Sequence, residues 1–263
     1  MNGYLAILKI RMKALFQYRA AAFAAICAQL FWGIVTTMIF RAFYAGVGVA
    51  EPISLSQAIT FIWVGQSLLQ LIPWSIDKEI EAQVKNGNVA YELIRPINLY
   101  GLWFARSFAL RAVPTLMRSI PIFAIGGWLF GLSAPISLEA GLAFGCSVIL
   151  ALLLSSAITT VVLISLFWTV SGEGIQRLLP HITLLFSGMV VPLPLFPAWM
   201  QPFLNMQPFR GVMDIPCRLY TGVIPVADAL YYFGFQLAWT AVFILFGQWL
   251  LCKAMKNFVI QGG

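Results

Sequence analysis

AGLAFGCSVILALLLSSAITTVVLISLFW, residues 140–168, runs without one charged side chain. A helix needs roughly 20 apolar residues to cross the hydrocarbon of a bilayer, and a barrel strand only about ten. A barrel strand also alternates apolar and polar positions, because one face lines the lumen. This stretch is too long and too uniformly apolar for a strand. Backbone groups in lipid must be satisfied within the segment. The stretch therefore reads as a transmembrane α-helix, and a fold built around it must be a membrane fold.

The rest of the 263 residues agrees. Hydrophobic residues make up 61% and charged residues 10%, with a mean hydropathy of +0.89. A soluble domain carries about 25% charged residues; too few are present here to coat a solvated surface. The apolar runs predict an all-α membrane protein with six transmembrane helices, at about 21–43, 55–75, 108–131, 137–169, 179–196 and 228–252. Pro192, Pro194 and Pro197 interrupt the fifth. Ahead of the first, Leu5, Leu8, Met12, Leu15 and Phe16 recur at helical spacing, with Lys9 and Lys13 elsewhere. That pattern predicts an amphipathic interfacial helix within residues 1–20, or a plain extension of the first span. The apolar run that follows is too long for a signal-peptide core and reads as a retained span.

The net charge is +7. The basic residues sit at the ends of apolar runs, as the bias of Lys and Arg towards cytoplasmic loops predicts, so nucleic acid is not the partner they imply. Eleven fall on one side: Lys9, Arg11, Lys13, Arg19, Lys78, Lys85, Arg95, Arg106, Arg177, Lys253 and Lys256. Three fall on the other: Arg41, Arg210 and Arg218. Both termini are therefore expected in the cytoplasm. Arg111 and Arg118 are seven apart and share a helix face. They are expected to snorkel to the cytoplasmic interface, unless the third span begins early. In that case Arg118 becomes a buried charge with a functional role.

Two connections are too long to be simple links. The cytoplasmic one, residues 76–105, opens with Asp77, Lys78, Glu79 and Glu81 and reaches Lys85 before Asn86-Gly87-Asn88. Acids first and a base last complement the helix dipole; Glu81 and Lys85 form an i,i+4 pair; Asn-Gly-Asn is a stop. A short charged helix is expected below the membrane, either a docking surface or a solvated connector. The extracellular one, residues 191–227, holds Pro192, Pro194, Pro197, Pro202, Pro208, Pro216 and Pro225 among Phe196, Trp199, Phe203 and Phe209. Helix breakers with interfacial aromatics predict short re-entrant half-helices, or an aromatic-anchored loop.

Within the spans, Gln66, Gln70, Ser155, Ser156, Thr159, Thr160 and Gln236 are polar, and Gly141 and Gly145 make a small-xxx-small pair. Each serves either as helix-packing contact or as part of a substrate pathway. The sequence has no G-x-x-x-x-G-K-[ST] loop and no H-E-x-x-H. His181 alone cannot build a metal site, and no metal is expected. Cys27, Cys146, Cys217 and Cys252 form no framework. Every acidic residue sits in a loop or at a span end, which argues against proton or sodium coupling.

The stretch Val84-Lys85-Asn86-Gly87-Asn88-Val89-Ala90-Tyr91-Glu92-Leu93-Ile94-Arg95-Pro96-Ile97 resembles the cytoplasmic signature of a permease of the type-two ATP-binding cassette transporter superfamily. The branch in question works beside a separate ATPase subunit in bacteria. The six-span layout, the N-terminal amphipathic helix and the proline-rich outer loop resemble it too, so the likeness covers the whole chain as one permease domain. What it implies is the membrane subunit of an exporter in the bacterial inner membrane, dimeric with itself or a related permease. The chain would bind no cofactor and catalyse nothing itself; ATP and magnesium would sit on the partner ATPase. Asp77, Lys78, Glu79, Glu81, Lys85 and Gly87 would form the coupling helix. Gln66, Gln70, Ser155, Ser156, Thr159 and Thr160 are the candidate substrate path, and Phe196, Trp199 and Phe203 the candidate extracellular gate. A stand-alone secondary transporter or channel, or a membrane assembly factor, are the alternative readings.

Overall fold

The computed structural model describes Ile10, Lys13 and residues 19–46, 52–93, 97–169 and 173–256. The expected interfacial helix lies almost wholly outside them, as do Ile94, Arg95 and Pro96 of the signature stretch. Every regular element among the described residues is helical. α1 is Arg19–Gly46. α2, Leu55–Leu68, begins at a capping box: the Gln57 N–H donates to Ser54 Oγ at 3.2 Å, and the Ser54 N–H to Gln57 Oε1 at 2.9 Å. A 3-10 turn, Leu69–Leu71, ends it ahead of Pro73. α3, Lys78–Lys85, and α4, Ala90–Leu93, are short. α5 is Leu99–Leu129, α6 Leu138–Ser165 and α7 Glu173–Phe186. α8, Gln201–Met206, and α9, Asp214–Tyr220, lie in the proline-rich stretch, and α10 is Ala229–Lys256.

Among the described residues four helices are long and apolar enough to cross a bilayer: Ala22–Gly46, Leu99–Leu129, Leu138–Ser165 and Val226–Lys256. The other two expected spans are shorter. α2 and α7 have 14 residues each, roughly 21 Å at the α-helical rise. The fifth expected span, 179–196, is corrected at both ends. α7 starts at Glu173 and stops at Phe186, just before Gly188 turns at a φ of +83°. The prolines beyond then prevent a restart. The third expected span begins nine residues too late. α5 starts at Leu99 because Asn98 caps it, its Oδ1 accepting from the Gly101 N–H at 2.9 Å. Arg106 and Arg111 fall inside the helix and are buried, so Arg111 does not snorkel.

α6 is the centre of the bundle. Of its apolar stretch 72% is buried, against 17% for that of α10. It packs against α5, α9 and α10; α1 touches α2 and α5. The main core joins Phe61, Val64 and Leu68 of α2, Leu154 and Ile158 of α6, and Met213, Cys217 and Tyr220 around α9. In lipid, burial from water contributes little to helix pairing, so close packing and polar contacts must hold these helices. Trp63 provides the first. It is fully buried, stacks on Phe130 at 4.6 Å, and sits between Gly33 of α1 and Gly126 of α5. A Cβ on either glycine would lie 3.0 to 3.1 Å from the indole. Gln236 provides the second. Its Nε2 donates to Ser147 O at 3.1 Å and Gly211 O at 2.7 Å, and its Oε1 accepts from Ser147 Oγ at 3.1 Å. Among the described residues of the chain, the Gly141/Gly145 pair makes no such contact. Gly141 faces only Pro135, and nothing lies within 4 Å of a Cβ at Gly145.

Candidate functional site

The charged helix forms where the sequence predicts it. Asp77 is its N-cap: Oδ1 accepts from the Glu79 N–H at 3.0 Å and the Ile80 N–H at 3.4 Å. Lys85 donates to Glu81 Oε1 at 2.9 Å. Asn86 caps the end, and Gly87 turns at a φ of +73°, a conformation glycine adopts without a Cβ clash. The helix has two faces. Ile80 and Glu81 turn inward and are buried; Lys78, Glu79, Ala82 and Lys85 turn outward and are exposed.

Its inner side is tied to α5 through Arg106, a residue counted in the sequence only among the cytoplasmic basic charges. Nε and Nη2 of Arg106 form a fork on Asp77, both at 2.8 Å, and Nη2 also reaches Glu79 at 3.0 Å. Nη1 lies 3.7 Å from Glu92, whose other oxygen accepts from Trp103 Nε1 at 3.0 Å. One guanidinium thus joins α3, α4 and α5. A planar bidentate fork fixes orientation in a way an ammonium cannot. The available signal was a charge three residues beyond Trp103 inside an apolar run.

Glu81 ties α3 to α7 as well, accepting from Gln176 Nε2 at 3.3 Å. Burial raises the pKa of Glu81, but hydrogen bonds from Lys85 and Gln176 and the charges of Lys85 and Lys78 outweigh it and hold the carboxyl below its ordinary range.

Above α3 lies a narrow cleft of about 10 Å³, room for roughly one water molecule, lined by Pro73, Ser75, Ile76, Thr159, Val162, Gln176 and Leu179. Arg111 closes it from α5, donating to Ser75 O and, at 3.4 Å, to Thr159 Oγ1. The polar residues of α6 meet partners here. Ser155 Oγ donates to Leu71 O. Thr160 Oγ1 lies 3.4 Å from Ser107 Oγ. Ser156, Thr159 and Thr160 each donate to the carbonyl one turn earlier. All four hydroxyl residues are fully buried. Gln66 is buried on α2, its backbone carbonyl accepting from Gln29 Nε2 at 3.2 Å, while Gln70 is half-buried in the 3-10 turn. Of the six candidate path residues only Thr159 lines the cleft.

The proline-rich stretch lies at the opposite end of the bundle. Phe196 is half-buried; Trp199 and Phe203 are exposed, and Phe203 meets Phe186 edge-on at 5.4 Å. α9 wedges into the core with Asp214 fully buried, 3.8 Å from Arg210 and 3.4 Å from Arg218. Arg210 also donates to Asn205 and lies over the rings of Tyr232 and Phe235. His181, on α7, contacts Arg177 O at 2.7 Å. No group of three or more His, Cys, Asp or Glu side chains able to hold a metal occurs among the described residues.

Residues 18–262 match the family described as ABC-2 family transporter protein. No curated protein matches the sequence.

Proposed function

We propose that this chain, which belongs to the ABC-2 family of transporter proteins, is the permease of an ATP-driven exporter and takes up its driving force at α3. The family is that of the membrane component of such transporters, which makes the chain a multi-pass membrane protein and not the ATPase. The observation that carries the finer reading is the two-sided construction of α3. Its outer face, Lys78, Glu79, Ala82 and Lys85, is exposed, while Arg106 fixes its inner side to the 31-residue α5. A push on the outer face is thereby transmitted to a spanning helix through hydrogen-bonded contacts. A connector that did no work would need no such attachment.

In this reading the chain crosses the membrane six times, with α2 and α7 as the two short crossings. Both termini and α3 face the cytoplasm of a bacterium, and a nucleotide-binding subunit sits against α3. Gly87 ends the docking helix. A second permease copy completes the path. Cargo moves along the α5 and α6 seam near Thr159, whose wall Ser155, Ser156 and Thr160 hold, with Gln66 and Gln70 flanking it. It leaves past Phe196, Trp199 and Phe203.

Ala82→Trp tests this most directly. It adds bulk to the exposed face without touching Asp77, Glu81 or Arg106. With the chain and a phosphate-loop ATPase purified together in mild detergent, the expected result is loss of association with unchanged thermal unfolding of the permease. If no such ATPase ever associates, and the chain alone moves solutes in liposomes without ATP, the stand-alone transporter replaces this reading.

A further inference from the structure

Arg118 lies in the middle of α5. Twelve residues separate it from Arg106 and eleven from Leu129, roughly 18 and 16 Å of helix rise. With Arg106 held among carboxylates at the α3 end, Arg118 falls near the centre of a hydrocarbon layer about 30 Å thick. An early helix start therefore places the charge deep. It is half-buried, and its Nε is buried with no hydrogen-bond partner among the described residues. The ion pairs of the described residues do not include it.

The membrane-depth parts of the long helices offer no neutralising group either. α1, α2, α5 and α10 contain no acidic residue, and Glu139 and Glu173 stand in the first turns of α6 and α7. Asp214 is held by Arg210 and Arg218. The helix is also loosened on both sides of Arg118. Pro114 and Pro121 remove the backbone donors for the carbonyls of Leu110 and Met117. Backbone left open at this depth is tolerated where it lines protein or a water-filled space. Seven residues below, roughly 10 Å, Arg111 shares the face of Arg118 and contacts Ser75 and Thr159 of the cleft.

We propose that Arg118 is an oxyanion-binding residue at mid-membrane depth, and that its ligand is a lipophilic molecule bearing a phosphate, sulfate or carboxylate group. The planar guanidinium fork matches such groups bidentately. The cleft beside Arg111 has room for about one water molecule, so the ligand meets Arg118 from the lipid-facing side of α5 and not from within the cleft. The ligand is either a free amphiphile or an anionic lipid of the bilayer; the chemistry is shared. The inference gives a substrate class to the permease proposed above and rests on that reading for its role in transport.

Equilibrium binding to the purified full chain in phosphatidylcholine nanodiscs tests it without any ATPase, so a failure to recruit the ATPase is a separate result. Dodecyl phosphate is expected to bind saturably and at least tenfold more tightly than dodecyltrimethylammonium. Arg118→Gln should weaken dodecyl phosphate at least tenfold, and Arg118→Lys, which keeps the charge without the fork, should fall between Arg118→Gln and the wild type. Adding phosphatidylglycerol to the disc identifies the source: displacement of dodecyl phosphate marks a bilayer lipid as ligand, and no displacement marks the free amphiphile. Equal binding of the two amphiphiles by the wild type overturns the proposal, as does unchanged dodecyl phosphate binding by Arg118→Gln. Should Arg118→Gln fail to fold, the headgroup comparison in the wild type decides.

Discussion

Arg106 is 6% exposed and has three carboxylates around it. Removing one partner of a buried ion pair leaves the others uncompensated, which typically costs 3–5 kcal/mol. Arg106→Ala is therefore expected to destabilise the chain by about 3 kcal/mol, read as a lower thermal midpoint in detergent. Arg106→Lys should lose less, because the charge remains and only the fork is gone. Glu81 makes a pH-dependent contribution. Its carboxyl titrates below the ordinary range. A carboxyl with a lowered folded pKa stabilises the fold above its unfolded value, and that contribution is lost as pH falls through the folded one. Wild type should be more stable than Glu81→Gln at pH 7, and the gap should close below about pH 4. Thermal midpoints across that range measure it.

At the scale of elements, the long apolar helices were legible because their signal is composition sustained over many residues. Residues 137–169 and 228–252 anticipated α6 and α10 to within a few positions. The caps at Ser54, Asp77, Asn98 and Ser137 are local chemistry, and α3 could be read from such signals. The start of α5 could not. Arg106 and Arg111 argue against a helix in lipid until their partners are known, and those partners lie 14 to 48 residues away. The length of α7 was hidden for the opposite reason: apolar residues continue past Phe186, but Gly188 and the prolines forbid the helix. Of the site, the outer face of α3 was readable and its attachment was not. Within the chain, close helix contacts through glycine occur at Gly33 and Gly126 against Trp63, and not at Gly141 and Gly145. Gly126→Val should push the indole off its seat, at about 1–3 kcal/mol for an overpacked core. A red shift of tryptophan fluorescence with a lower thermal midpoint would register the movement.

The whole molecule is a shell of helices around α6, and its walls are unequal in height. α2 is buried from Ala58 to Leu68, so protein surrounds most of it. α7 is not: most of its residues are partly or fully exposed, and it rises roughly 21 Å in a layer of about 30 Å. If α7 is one of the six proposed crossings, lipid beside it must thin, or the helix must be met by polar loop and water, and either carries a cost that depends on acyl chain length. α7 also carries Gln176, the residue bonded to Glu81 of α3. In that six-span reading the thickness of the surrounding membrane is mechanically connected to the proposed docking helix. Transport-coupled ATP hydrolysis in liposomes should change with acyl chain length from 14 to 22 carbons, whereas a permease with six equal walls would show little dependence. In such a protein the bilayer is a load on the machine, set by the cell through its lipid composition.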